Sequence, residues 1–226
     1  AKGDFTISIT QQGCTQPFVR VTNNTDKSVQ MKPHPNINRQ RWAKESVICV
    51  KDVSRVHLPL HTPTGVLRWR MQSKDEDKLP LKVNCWPSSS PEGITIVNME
   101  YELGEQRAYE LHDVIIRVPV VGKDAPMVNQ IESGTYDFDA RSSTLEWRIP
   151  LINDDNRNGT LEFEIAKWQK DNTDTSFLFP IDVAFVSNKT VAHLEVEEVF
   201  NSEGGDPLKY SITSQLIVDS YTIDDD

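Results

Sequence analysis

The sequence predicts an all-β protein. Period-2 alternation of β-branched and aromatic residues recurs along the 226 residues, and clusters of Gly, Pro, Asn, Asp and Ser separate the alternating segments. No long amphipathic helical stretch intervenes, which argues for antiparallel sandwiches over a parallel α/β sheet. The length exceeds what one small sandwich needs and suits either one large β domain or two packed β subdomains.

In chain order, strands are expected at 5–10, 18–22, 28–32, 47–51, 66–71, 81–86, 95–103, 113–118, 136–139, 144–149, 160–168, 179–186, 191–200 and 210–221. The chain enters the first of these, Phe5-Thr6-Ile7-Ser8-Ile9-Thr10, almost at once. A piece cut from a longer protein starts this way, and further strands are expected upstream. One segment breaks the pattern: Asn36 is a plausible N-cap, helix formers follow it to Glu45, and Ile37 and Ala43 flank Trp42, which predicts a helix of one to two turns. Gln72-Ser73-Lys74-Asp75-Glu76-Asp77-Lys78 reads as a charged linker. Pro87-Ser88-Ser89-Ser90-Pro91-Glu92-Gly93 reads as a loop, because proline removes a ladder donor. Asp154-Asp155-Asn156-Arg157-Asn158-Gly159 ends in the dipeptide suited to the positive φ of a tight turn, which predicts a hairpin joining Glu146-Trp147-Arg148 to Leu161-Glu162-Phe163.

Trp69 and Trp147 alternate with charged neighbours, so each is expected to point into a core. Trp86 and Trp168 stand at strand ends, where packing is favoured over exposure.

A formal net charge of -10 repels phosphate backbones and anionic headgroups unless a local basic patch overrides it, so nucleic acid is not an expected partner. No apolar run reaches the roughly 18 residues of a membrane span, and the N-terminus lacks a signal-peptide pattern. Cys14, Cys49 and Cys85 are odd in number and widely spaced, which fits reduced thiols of a cytosolic chain better than a disulfide framework or a CxxC metal site. The sequons at Asn23, Asn158 and Asn188 carry meaning only in a secreted protein.

P-loop, GxGxxG, GxSxG and HExxH motifs are all missing, so no catalysis and no cofactor are expected. His57 and His61 are spaced i, i+4, but Pro59 and Pro63 deny them a helix and no third ligand lies nearby. His112 and Asp113 follow Glu110 without a neighbouring nucleophile; a hydrolase built on them requires a buried cleft. An extracellular Ig-like domain would need the sequons used and the cysteines paired.

Trp42 lies among Arg39, Arg41 and Lys44 and follows the stiff Pro33-His34-Pro35. It either anchors its helix to a sheet or offers an apolar group to a ligand, and the exposed cations form a candidate peptide-binding face in both cases. This is the densest cationic patch with apolar neighbours, and the candidate site comprises Lys32, His34, Asn36, Ile37, Arg39, Arg41, Trp42, Lys44 and Lys51.

Several segments, in order, carry a family resemblance: His34-Pro35-Asn36, Gly65-Val66-Leu67-Arg68-Trp69-Arg70, Leu81-Lys82-Val83-Asn84-Cys85-Trp86-Pro87-Ser88, Val97-Asn98-Met99-Glu100-Tyr101-Glu102-Leu103, Thr144-Leu145-Glu146-Trp147 and Phe185-Val186-Ser187. Together they resemble the C-terminal mu-homology domain of the delta-subunit family of the COPI coat, coatomer. The resemblance implies an elongated domain of two β-sandwich subdomains with one short helix, residues 80–187 inserted into an outer sandwich of 1–79 plus 188–226. It implies a COPI coat module in Golgi-to-ER transport, cytoplasmic and peripheral on Golgi membranes and vesicles, with membrane contacted only indirectly through the coat. The implied partners are WxW or WxxF motifs in disordered parts of an ER tethering complex and of Arf GTPase-activating proteins, and the other coatomer subunits through the rest of the full-length chain. Related adaptor subunits bind tyrosine-based YxxΦ signals with a Trp-x-Arg on the last strand. The matching strand here, Ser214-Gln215-Leu216-Ile217-Val218-Asp219-Ser220-Tyr221, has neither residue, leaving a tyrosine-signal receptor as the alternative.

Overall fold

A computed structural model describes residues 1–73, 75–90, 93–105, 108–166, 174–201 and 205–224. The chain forms two compact units, Ala1–Lys74 with Thr190–Thr213, and Asp75–Lys189 with Ser214–Asp226.

The first unit holds strands β1 (Lys2–Ile7), β2 (Pro17–Asn23) and β3 (Val29–Pro33), helix α1 (Arg39–Glu45), then β4 (Val47–Ile48) and β5 (Thr64–Met71). After the second unit's first segment, the chain returns with β14 (Leu194–Asn201). Two three-stranded antiparallel sheets, ordered β1-β5-β3 and β14-β2-β4, result. Ile9, Val19, Val21, Ile37, Ile48, Val50, Leu58 and Val66 form a core cluster, with a smaller one of Val29, Trp69 and Ala192. Trp69 is buried as its alternation requires, and a Cβ at Gly3 on the paired strand would meet its ring at 2.5 Å.

The second unit contains β6 (Leu81–Ser89), β7 (Ile94–Leu103), β8 (Leu111–Pro119), β9 (Met127–Ile131), β10 (Thr135–Asp139), β11 (Thr144–Ile152), β12 (Asn158–Ala166), β13 (Ile181–Ser187) and β15 (Leu216–Ile223). They build sheets ordered β6-β7-β12-β9 and β10-β11-β8-β13-β15, both antiparallel. Trp147, Tyr101 and Phe163 are fully buried between them, the first two with ring centroids 5.3 Å apart. The indole N–H of Trp147 donates to the Ser133 carbonyl at 2.8 Å, so the largest buried side chain leaves no polar atom unpaired.

Five expectations need correction. The hairpin from 146–148 to 161–163 does not form: β11 and β12 lie in different sheets, and Asn153 caps a one-turn 3-10 helix, Asp154–Asn156, between them. Both strands need partners for a core-facing row, and each finds two in its own sheet. Gly159 instead serves close approach, since a Cβ there would meet the Tyr101 ring at 2.7 Å. Pro87 lies inside β6, which among the described residues pairs only with β7, and an edge strand tolerates the lost donor. Strand β9 was not expected, because Asn129-Gln130 interrupts its alternation. The terminal strand β15 pairs with β13, so the 214–226 segment belongs with the second unit and not with an outer sandwich of 188–226. Trp86 is 54% exposed rather than packed; the expectation for Trp168 lies outside the described residues.

Candidate functional site

The hairpin carrying α1 is built by local chemistry. The Asn38 side chain accepts the N–H groups of Gln40 and Arg41, and Ser46 closes the helix in the left-handed region at φ 54°, its N–H reaching the Arg41 and Trp42 carbonyls. The N-cap is thus Asn38, two residues past the Asn36 expected. Below the helix the two arms join: Ile37 bridges Val50, Asn38 N–H donates to the Cys49 carbonyl at 2.9 Å, and Lys51 N–H donates to that of Asn36 at 2.8 Å. Trp42 is half-buried against the first unit's core, so it acts as an anchor for α1. Its neighbours Arg39 and Lys44 stay exposed.

The expected site residues divide. Asn36, Arg39, Arg41, Trp42, Lys44 and Lys51 share the hairpin, with His34 at its entrance, where Nδ1 accepts the Asn36 N–H at 3.2 Å. Ile37 is a correction: at 4% exposure it is core, because the bridge to Val50 turns it inward. Lys32 belongs to β3 in the other sheet, across from Arg68.

Residues absent from the sequence-based site complete the surface. The Arg41 guanidinium lies over Phe18, 5.4 Å from the ring centroid. Phe18 stacks on Phe200 at 5.4 Å, and the Arg20 guanidinium lies 5.9 Å from the centre of Phe200. Phe18, Val47 and Cys49 form a small buried cluster separate from the main core, with Phe200 packed against it. Arg20 pairs with Glu198 at 3.3 Å, both about half exposed, so this pair contributes little stability. Phe18 is itself buried, so the ring open to an incoming indole is the half-buried Phe200, an apolar, π-rich contact stacked on Phe18 and bordered by the Arg20 and Arg41 guanidiniums. Phe18 and Phe200 come from strands near opposite ends of the chain, and only the β2–β14 pairing brings them together.

Charge is divided between the units. The first holds thirteen Lys and Arg against nine Asp and Glu, the second eleven against twenty-five. A cleft of about 380 Å³ in the second unit is lined by Asp77, Lys82, Glu102, Leu103, Gly104 and Glu105, with Lys82 Nζ 2.9 Å from Asp77. Its carboxylates and single aliphatic side chain suit neither an indole nor an acidic flank. His112 and Asp113 are exposed on β8, so the buried cleft a hydrolase needs is not at this pair. Among the described residues, no group of three or more His, Cys, Asp or Glu is placed to hold a metal, and no helix is long and apolar enough to cross a membrane.

The chain is 36% identical over 206 residues to coatomer subunit delta-1 of Oryza sativa subsp. japonica, covering 91% of this chain and 38% of the relative. It is 32% identical to coatomer subunit delta of Dictyostelium discoideum over 223 residues, covering 98% of this chain and 39% of that protein. The chain therefore spans well under half the length of these relatives. The fold matches the yeast delta-COP-I mu-homology domain complexed with a Dsl1 WxWxV peptide, with a TM-score of 0.80 and 25% identity, covering 98% of this chain and 88% of that one. A family profile described as the adaptor complexes medium subunit family matches residues 1–223. These relatives are named as coat and adaptor subunits rather than as enzymes, and the chain belongs to the adaptor complexes medium subunit family.

Proposed function

We propose that this chain is the peptide-docking module of a COPI coat delta subunit and binds short tryptophan-based motifs in disordered segments of other proteins. The carrying observation is the match, over nearly the whole chain, to a yeast domain solved with a WxWxV peptide. A disordered peptide loses conformational entropy on docking, so a short motif binds usefully only if a few large aromatic groups find apolar contacts ready for them. Half-buried Phe200, stacked on the buried Phe18, supplies the apolar surface, while Arg20, Arg39, Arg41, Lys44 and Lys51 steer acidic flanks with a strength that salt reduces.

In this reading the partners are an ER tethering complex and Arf GTPase-activating proteins, and the rest of the subunit joins the other coatomer subunits. The module works on the cytoplasmic side of Golgi membranes and COPI vesicles, touching membrane only through the coat. Titration calorimetry with a WxWxV peptide, and with a YxxΦ peptide as comparison, tests the proposal. Micromolar heat with the first and none with the second supports it, whereas binding of the tyrosine peptide alone refutes it.

A further inference from the structure

We infer that the exposed face of the β1-β5-β3 sheet is a docking surface for an acidic, unstructured segment of a partner protein. Strand alternation points Lys2 and Asp4, Arg68 and Arg70, and Gln30 and Lys32 to solvent, while Trp69 and Val29 turn to the core. The register sets Arg70 directly across from Lys2 on one side and Gln30 on the other, and Arg68 across from Asp4 and Lys32. Two like-charge pairs, Lys2–Arg70 and Lys32–Arg68, therefore stand opposite each other on one face. Asp4 answers only Arg68, at 3.1 Å. Lys2, Lys32 and Arg70 have no ion pair among the described residues.

Like charges directly across a ladder destabilise it. Elsewhere in this chain, several cations on strands face carboxylates, Arg20 opposing Glu198, Lys82 opposing Glu102 and Arg117 both Glu146 and Asp182, while Arg148 faces the uncharged Thr135 and Ile115. A chain with 34 acidic residues and a net charge of -10 has carboxylates to spare, yet this face gathers four cations around one. The folded chain alone gains nothing from that arrangement, and a bound polyanion removes its cost.

The shape of the face favours a peptide over a bilayer. Three strands about 4.8 Å apart make a strip roughly 10 Å wide, the span of about three residues of extended chain. None of the exposed large hydrophobic residues lies on β1, β3 or β5, so nothing on the face can insert between lipids. This inference concerns charge alone and stands apart from the tryptophan-motif reading.

The test follows amide chemical shifts of the chain titrated at low salt with a tryptophan-free peptide of alternating Asp and Ser, alongside mixed phosphatidylcholine–phosphatidylserine vesicles. The expected result is a set of shifts centred on Lys2, Lys32, Arg68 and Arg70 that fades as salt rises and disappears in a Lys32→Gln, Arg70→Gln double variant. That variant should keep or raise its thermal midpoint at low salt. Shifts elsewhere only, shifts that persist in the double variant, a lowered midpoint, or vesicle binding without peptide binding overturns the inference.

Discussion

The Glu146 carboxylate and the Arg117 guanidinium meet at 3.1 Å across β11 and β8, and Arg117 reaches on to Asp182 of β13 at 2.8 Å. The row crosses three strands of the second unit's larger sheet. Burial opposes the charge on Arg117, but the hydrogen bonds its guanidinium donates to Asp182 and Glu146 hold its pKa above the ordinary value. Arg148 and then Arg117 hold the Glu146 carboxyl below its usual 4.5, against the effect of its own burial.

Because the folded pKa of Glu146 is lowered, its stabilising contribution is present above the unfolded value and is lost as pH falls through the folded one. Thermal midpoints of the parent and of Glu146→Gln should therefore differ at pH 7 and converge in acid, below the ordinary carboxylate range. A gap that is constant with pH would assign the loss to packing instead.

Trp147 fills the centre of the second unit's core and donates to Ser133. Replacing it with Ala should cost about 3–5 kcal/mol in denaturant unfolding, the usual range for a buried aromatic. Trp147→Phe removes less volume but orphans the Ser133 carbonyl from that donor, and should fall between Ala and the parent.

Gly159 has no room for a Cβ beside the Tyr101 ring. Gly159→Ala should lose about 1–3 kcal/mol by overpacking. Gly65, where a Cβ would meet nothing, is the control and should change stability far less.

Much of this was legible from side-chain alternation. Trp69 and Trp147, each between charged neighbours, sit in cores as that pattern demands, because a half-buried strand must sort its residues by face. Pairing partners were less legible: Asn158-Gly159 has the composition of a hairpin turn, but the flanking strands go to separate sheets, a choice made by the core and not by the turn. The site was half visible. Arg41, Trp42 and Lys44 lie close in sequence and could be grouped, whereas Ile37 reads the same whether buried or exposed. Phe18 and Phe200 are joined only by the long-range β2–β14 ladder, for which a single sequence holds no local signal.

Peptide affinity after single substitutions on the first unit tests the central claim most directly. With a WxWxV peptide, Arg41→Ala and Phe200→Ala should each weaken Kd by about tenfold or more, the loss of one well-placed contact, measured well below the thermal midpoint of each variant because Phe200→Ala also removes packing from the Phe18 cluster. Unchanged affinity in both folded variants would contradict a peptide site at Arg41, Phe18 and Phe200.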